Sequence, residues 1–293
     1  MGNDLQEQAP LQRSISELRV RRLSEPDQPV LEAFLLTCPG YSLFLSANLV
    51  YMHSNMDLVR YWGAYIGEHL AAVLMMVGQR AMISAEPQID LSPLVRIAAL
   101  EQVDFMMGQP EGVDALLGDL PTGTMLQRRE EHHLAELALP SGGMQAMVVP
   151  PGVMVRRAHP SDLEALTTLY YRADGFESAG RDQVRRTMYG RIRSLRTWVA
   201  EREGQLQSAA STSAETPQAA MIGGVWTAPG ARNRGLSTAV MSALSRELLA
   251  EGRRPYLFYL VDNVAAAHVY SQVGFSTIGR WSVVYLTPGR AGE

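Results

Sequence analysis

The most informative stretch of the sequence is VWTAPGARNRGLSTAV, residues 225–240. Its pattern predicts the end of a strand, a loop rich in arginine and glycine, and a helix that begins at Leu236 or Ser237. The unpaired N–H groups of a first helical turn and the positive end of the helix dipole attract anions. Gly235 permits close approach to the backbone, and Arg232 and Arg234 add positive charge. The stretch therefore predicts a binding site for a diphosphate group.

Composition limits the molecules to which that diphosphate could belong. All 26 basic residues are arginines, which excludes chemistry that requires a lysine, such as a Walker phosphate loop or a pyridoxal Schiff base. The loop also lacks the glycine pattern of nicotinamide-binding folds. The net charge is −4, so no overall positive field recruits nucleic acid. Nucleoside triphosphates, nicotinamide cofactors and nucleic acids are therefore poor ligands for this chain.

Two segments of the chain repeat one order of features. LRVRRLSEPDQPVLEAFLLTC, from Leu18, and VMVRRAHPSDLEALTTLYYRA, from Val153, each combine a strand pattern with a basic doublet, a helix-start signal and apolar residues at helical spacing. The repeat predicts two related domains, and the glycines and prolines of residues 140–153 mark the boundary. We expect a flexible lead-in at 1–17, a first domain at 18–148, a second domain at 149–288 and a tail at 289–293.

Apolar periodicity and turn signals place the elements within both domains. Residues 61–85 predict a meander of strands, and the segment after Leu91 predicts a helix with Ser92 as its cap and Pro93 in its first turn. The second domain predicts strands at 197–201, 205–211, 219–227, 256–261 and 281–286, with helices at 237–251 and 265–272. The fold class that follows is α+β: a mixed, mostly antiparallel sheet flanked by helices, in two tandem domains.

The second domain resembles the GNAT superfamily of acyl-CoA-dependent N-acyltransferases, whose motif is Q/R-x-x-G-x-G/A. Arg232 and Gly235 match its first and fourth positions, and Ser237 replaces its final small residue. The preceding strand Val225-Trp226-Thr227 and the later run Asn263-x-x-Ala266-x-x-x-Tyr270-x-x-x-Gly274-Phe275 stand at the spacing of that family. The resemblance covers about residues 153–287. The first domain has no pyrophosphate loop and is similar only to the degenerate partner found in tandem GNAT proteins.

The resemblance implies that acetyl-CoA, or another acyl-CoA, is the cosubstrate. Its pantetheine would lie beside the strand, an N–H near Val225 or Trp226 would hold the oxyanion, and Tyr270 would act at the sulfur as an acid or an orienting donor. The strand at 219–227 contains no carboxylate, so Glu201, Glu203 and a water relay remain the candidate bases. The residues implied in cofactor binding are Val225, Trp226, Thr227, Arg232, Asn233, Arg234, Gly235, Leu236, Ser237, Asn263, Ala266 and Tyr270.

Each of these features also has a structural interpretation. Tyr270 could be a core tyrosine that only packs, and residues 232–237 could form an ordinary helix start with surface arginines. Residues 235–239 also resemble a serine-hydrolase elbow, but Pro229, Gly230 and the arginines separate Ser237 from its strand, which argues against a hydrolase.

Other reactive residues predict no second site. His132 and His133 are adjacent, so their side chains diverge and no third metal ligand is spaced nearby. Cys38 follows an apolar helix, and we expect it in the core rather than as a nucleophile. An arginine-rich segment predicts a solvated helix face, with contacts to a carboxylate-bearing acceptor or to CoA phosphates as the minor interpretation. Its members are Arg181, Arg185, Arg186, Arg191, Arg193 and Arg196.

The sequence thus predicts an N-acyltransferase that moves an acetyl or other acyl group from CoA to a primary amine on a small molecule or peptide. The N-terminus lacks the layout of a signal peptide, and the longest apolar stretch, residues 70–77, is far too short to span a bilayer, so we expect a cytoplasmic protein with no membrane partner and no metal. A homodimer is compatible with this prediction. The alternative is a non-catalytic acyl-CoA-binding or interaction module, which the missing strand carboxylate and the degenerate first domain favour.

Overall fold

The structure is a computed structural model that describes residues 18–53, 58–118, 120, 123–138, 147–171, 173, 176 and 179–287. The predicted lead-in at 1–17 and tail at 289–293 lie outside these residues. In the described part of the chain, no helix has both the length and the apolar character needed to cross a membrane.

Both halves of the chain contain the same order of elements. The N-terminal half comprises β1 (Leu18–Arg22), α1 (Gln28–Thr37), α2 (Pro39–Ala47), β2 (Val59–Ile66), β3 (His69–Val77), β4 (Arg80–Ala85), α3 (Ser92–Leu100), β5 (Phe105–Gly108), α4 (Pro110–Gly118) and β6 (Met125–Leu137). The C-terminal half comprises β7 (Met154–Arg157), α5 (Leu163–Tyr170), α6 (Arg181–Ser194), β8 (Thr197–Arg202), β9 (Gln205–Glu215), β10 (Ala219–Thr227), α7 (Leu236–Ala250), β11 (Arg254–Leu260), α8 (Val264–Val273) and β12 (Phe275–Thr287).

All twelve strands of the described residues form one sheet, in the order β1-β2-β3-β4-β5-β12-β6-β11-β10-β9-β8-β7. Neighbouring strands are antiparallel except for the pairs β4–β5 and β10–β11, which are parallel. The predicted fold class, a mixed and mostly antiparallel sheet with flanking helices, is therefore confirmed.

The last strand of each half lies in the sheet of the other half. β6 pairs with β11, from Tyr256 opposite Glu136 to Leu260 opposite His132, while β12 pairs with β5. β6 and β12 pair with each other at the centre of the sheet. Each half is thus completed by a strand of the other, and the domain boundary at 148 and 149 remains a prediction.

The sequence analysis assigns no element to β6, whose first half, MLQRREE, is polar and lacks the alternation of a half-buried strand. The structure explains why this segment is extended. β6 has a partner on both sides, and its second half carries the buried Leu134, Ala135 and Leu137. Pairing with two distant strands therefore decides its conformation, rather than local propensity.

The helices of the C-terminal half cover opposite faces of the sheet. Val199 and Ala209 pack in the cluster formed with α5 and α6, whereas the next residues, Ala200 and Ala210, pack in the cluster formed with α7. Consecutive residues of a strand point to opposite faces. We call these the α5–α6 face and the α7–α8 face.

Two local expectations are wrong. Cys38 is exposed, not in the core, because α1 ends at Thr37 and Cys38 forms the junction with α2. Ser92 is the first residue of α3 rather than its cap, and its N–H donates to Asp90 Oδ1 (3.0 Å).

Candidate active site

A cleft opens in the sheet where β10 and β11 separate. The strands pair only from Ala219 to Ile222 on β10, so the rest of β10 has no partner on its β11 side. On its other side, the register with β9 breaks between Gly223 and Trp226, which places Gly224 and Val225 opposite a single residue. This β-bulge depends on Gly224, whose φ of +59° lies in the left-handed region that favours glycine.

The loop after β10 leads into an uncapped helix. Asn233 (φ +60°) and Gly235 (φ +74°) are both left-handed, and α7 begins at Leu236 without a side-chain cap. The first helical N–H with a backbone acceptor is that of Ala239, which donates to Gly235 O (3.0 Å). Among the described residues, the N–H groups of 236–238 have no acceptor, which is the arrangement that binds an anion at a helix N-terminus.

The two arginines of the loop differ in their contacts. The Arg232 guanidinium lies 4.8 Å from the Trp226 ring centroid, and its Nε donates to Thr227 O (3.3 Å). Arg234 is exposed. Arg232 is thus held against the end of β10, while Arg234 extends into solvent beside the same loop.

Tyr270, on α8, packs in the same apolar cluster as Val225 and Leu236. Its ring lies 5.2 Å from that of Tyr259 and 6.3 Å from that of Phe275. No hydrogen bond to its hydroxyl is found in the described part of the chain. Burial raises the pKa of Tyr270 well above its usual value, with smaller contributions from Tyr259 and Tyr170. The phenol is therefore a neutral hydrogen-bond donor at neutral pH.

A cavity of about 380 Å³ lies beside Tyr270 on the α7–α8 face. It is bounded by α8 and by three strands, and one of these strands is the exchanged β6. Polar side chains in its wall are Tyr259, His268, Tyr270, Ser271 and Thr277. The N-terminal half thus contributes to the wall of a cavity next to the candidate site, through Ala135.

On the α5–α6 face, the bulge contacts Tyr170, which the sequence analysis does not identify, and Arg191, which it names only within the arginine-rich segment. The Tyr170 hydroxyl donates to Gly224 O, and burial raises the pKa of Tyr170. The Arg191 guanidinium lies 5.2 Å from the Tyr170 ring centroid. The glycine doublet at 223 and 224, inside a strand pattern, is the one sequence signal for this bulge.

The predicted bases lie away from Tyr270. Glu201 accepts hydrogen bonds from Arg156 Nη2 (2.7 Å) and Nε (3.0 Å), and Arg156 also binds Asp162. Glu203 sits in the turn between β8 and β9, with 86% of its side chain exposed. Neither carboxylate lines the Tyr270 cavity.

Asn263 and Ala266 have a structural role at the start of α8. The Asn263 side chain caps the helix by accepting a hydrogen bond from Ala266 N (3.0 Å). Their contact with a cofactor stays a prediction.

His132 is a buried polar side chain of β6. It is 6% exposed, its ring lies 5.2 Å from that of Phe258, and its Nδ1 is buried without a partner. Burial lowers the pKa of His132, opposed by weaker effects of Glu130 and its neighbours. The structure's described residues contain no group of three or more His, Cys, Asp or Glu able to hold a metal ion.

The N-terminal half has the same topology, but the residues described at its equivalent positions form neither the cleft nor the anion site. β4 and β5 pair from Arg80 to Ile83 on β4. Just beyond these residues, the side-chain oxygen of Gln109 accepts a hydrogen bond from Ala85 N (3.0 Å) and connects the ends of the two strands. At the start of α3, the Asp90 carboxylate accepts from Ser92 N and Oγ, which lowers the pKa of Asp90. A negative charge therefore occupies the position where α7 offers free N–H groups.

Comparisons with known proteins identify the fold. The family model of FR47-like proteins matches residues 201–285. No curated protein matches the chain by sequence. The GCN5-related N-acetyltransferase from Sphaerobacter thermophilus aligns over 94% of this chain and 97% of its own, with a TM-score of 0.62 and 13% identity. A tandem GNAT protein from the clavulanic acid biosynthesis pathway aligns over 94% and 100%, with a TM-score of 0.57 and 15% identity.

A third structure, the GNAT-family acetyltransferase from Colwellia psychrerythraea, aligns over 92% of this chain and 99% of its own, with a TM-score of 0.53 and 14% identity. At these identities the likeness concerns the fold. The order of elements in each half and the separated parallel strands agree with the GNAT fold of these structures, and the FR47-like family model matches within the C-terminal half.

Proposed function

We propose that the C-terminal half is an N-acyltransferase that uses acetyl-CoA or another acyl-CoA. The observation that carries this proposal is the position of the uncapped N-terminus of α7 at the end of the separated strand β10. A carrier with a diphosphate and an extended arm fits this arrangement, because the arm can hydrogen-bond along the unpaired edge of β10 while the diphosphate meets the helix N–H groups.

The proposed contacts follow from the geometry of the loop. The amides of residues 233–238 would hold the pyrophosphate, and Arg232 and Arg234 would add charge. Residues 223–227 would hydrogen-bond the pantetheine. The thioester would then lie where the bulge of β10, Tyr170 and Tyr270 come together.

The residues of the cleft would divide the chemistry among them. An N–H of the bulge, near Val225 or Trp226, would donate to the carbonyl oxygen as the amine attacks the thioester carbon and the C–S bond breaks. Tyr270, protonated at neutral pH, would donate to the departing sulfur. The amine proton would leave through a water molecule, or through Glu201 or Glu203 if either carboxylate moves from its present position.

A second candidate function is a non-catalytic acyl-CoA-binding module. It is favoured by the absence of a carboxylate from β10 and by the ion pair that holds Glu201 against Arg156. Such a module would bind the carrier at the same loop but would not release CoA.

Turnover of acetyl-CoA with a panel of primary amines separates the two functions. The mixture is resolved by chromatography, and both free CoA and the acylated amine are identified by mass spectrometry. An enzyme produces the two in equal amounts with at least one amine. Binding of acetyl-CoA without either product supports the binding module, and absence of binding contradicts both.

A further inference from the structure

Arg191 has an unusual environment among the arginines of its segment. Arg181 and Arg185 both bind Glu164, Arg193 binds the Tyr189 hydroxyl, and Arg196 binds Glu215 and Glu251. Arg186 is exposed on the helix surface. Within the described residues, no carboxylate reaches Arg191, although its Nη1 is buried and without a hydrogen-bond partner.

The position of Arg191 is fixed by the two residues that shape the cleft. Its guanidinium packs over the ring of Tyr170 and against the backbone of Gly224, where a β-carbon would come within 2.9 Å of Arg191 Cζ. Tyr170 in turn binds the carbonyl of Gly224. The charge is therefore held beside the bulge of β10, at the proposed site of reaction.

Among the described residues, Arg191 has contacts with Tyr170 but no carboxylate partner. Such a partly buried guanidinium is unfavourable, because a neutral phenol replaces only part of its lost hydration and supplies no counter-charge. Its planar set of donors matches a carboxylate, which it binds through two parallel hydrogen bonds. The environment thus indicates that an anionic ligand group completes this site.

The anion that Arg191 binds would reach the cleft from a different face of the sheet than the CoA pyrophosphate. The uncapped N-terminus belongs to α7 on the α7–α8 face, whereas Arg191 reaches the bulge from α6 on the opposite face. A ligand group that meets Arg191 therefore enters the cleft from the side opposite to the proposed carrier, which is the side left for the acceptor.

We infer that Arg191 binds a carboxylate of the acceptor, so that the amine substrates of this protein are amino acids or other amines that carry a carboxylate group. This inference rests on the proposed function and names the substrate class of the same site. Arg191 is a specificity-determining residue: it positions the acceptor, while the groups of the bulge and Tyr270 act on the thioester.

The test compares acceptors that differ only in the carboxylate. Phenylalanine is paired with phenethylamine, tyrosine with tyramine, and glycine with glycinamide, and kcat and KM are measured at saturating acetyl-CoA. We expect the wild-type protein to prefer the carboxylate member of its best pair by about 10- to 100-fold in kcat/KM. Arg191→Met should remove most of this preference through KM for the acceptor, and Arg191→Lys should restore part of it.

Arg186→Met is the matched control, because Arg186 lies on the same helix but is exposed, and it should retain the preference. All variants are checked for unchanged acetyl-CoA affinity and thermal unfolding. An equal loss of kcat with both members of a pair, or a wild-type protein that transfers acyl groups without preferring carboxylates, would overturn the inference and leave the acyltransferase function standing.

Binding of the same amino acids in the presence of CoA, measured by saturation-transfer NMR, covers the case of a module without turnover. Binding of phenylalanine but not phenethylamine, lost in Arg191→Met, supports the inference without any catalysis. If acetyl-CoA itself fails to bind, the proposed function fails separately. Absence of amino-acid binding and of turnover together overturns the inference.

Discussion

Arg191 of α6 and Gly224 of β10 are in direct contact, and the absence of a side chain at position 224 is what allows the guanidinium to lie there. Gly224 is also left-handed, with a φ of +59°. One glycine therefore serves two purposes: its left-handed conformation forms the bulge in β10, and its lack of a side chain leaves room for a charge beside it.

Gly224→Ala should destabilise the protein by about 1–2 kcal/mol, the cost of a left-handed alanine, and should displace the Arg191 guanidinium, whose Cζ would lie 2.9 Å from the new β-carbon. Urea unfolding measures this change. Gly223→Ala is the control, because its β-carbon would lie 3.3 Å from the Ser213 hydroxyl oxygen and its φ is outside the left-handed region. Equal stability of the two variants would contradict the left-handed backbone cost assigned to position 224.

Tyr270→Phe should lower kcat by about 10²-fold, with little change in acetyl-CoA affinity, because the variant loses the donor to the leaving sulfur but keeps the ring. Tyr259→Phe is the matched control: its ring packs against Tyr270, and its hydroxyl lies 3.4 Å from Thr277 Oγ1. Steady-state kinetics with the best amine decides between them. A Tyr270→Phe enzyme with wild-type kcat would show that the Tyr270 hydroxyl takes no part in the reaction and that the ring only packs.

Much of the C-terminal half follows from its sequence. The strand Ala219–Thr227 is predicted with the bounds it has, the helix after it begins at Leu236 as expected, and Gly235 adopts the left-handed conformation that the loop requires. These features depend on neighbours in sequence: apolar periodicity, a glycine and a helix start. Interactions between residues close in sequence are therefore sufficient to predict each of these features.

The exchange of β6 and β12 could not be predicted in the same way. Periodicity indicates which residues share a face of a strand, but it does not indicate which strand lies beside it. For a related reason, Tyr170 was missed as a site residue, and Arg191 was not distinguished from the other arginines of its segment. Each lies on a helix and looks like a packing or surface residue, and only tertiary packing brings both to Gly224.

The strand exchange predicts that the two halves depend on each other. Residues 1–148 alone would lack β12 beside β5, and residues 149–293 alone would lack β6 between β11 and β12. We expect each fragment alone to be poorly folded by circular dichroism, and the two to assemble when co-expressed. Two fragments that separately show cooperative thermal unfolding would contradict this and would support two autonomous domains.

His132 predicts a pH dependence of stability. Its pKa is lowered in the folded state by burial, while in the unfolded chain it is about 6.5. Below pH 6.5 the unfolded state therefore binds a proton that the folded state does not. The free energy of unfolding then falls with decreasing pH, by at most about 1.4 kcal/mol per pH unit. Above pH 6.5 this histidine does not change the free energy of unfolding.

Urea unfolding between pH 5 and 7.5 measures this dependence. His132→Gln should make the profile shallower in this range, whereas His268→Gln, at an exposed position, should leave it unchanged. A profile that His132→Gln does not alter would show that the imidazole titrates equally in both states.

The central claim, that main-chain N–H groups at the start of α7 hold the diphosphate of an acyl carrier, is tested most directly by calorimetric titration with CoA and with pantetheine, which lacks the diphosphate. We predict that CoA binds at least about 10²-fold more tightly than pantetheine. Gly235→Asp should abolish this difference, and Gly252→Asp, with a similar φ of +76° at the far end of α7, should preserve it. Equal affinities for CoA and pantetheine, or CoA binding that survives Gly235→Asp, would contradict the account.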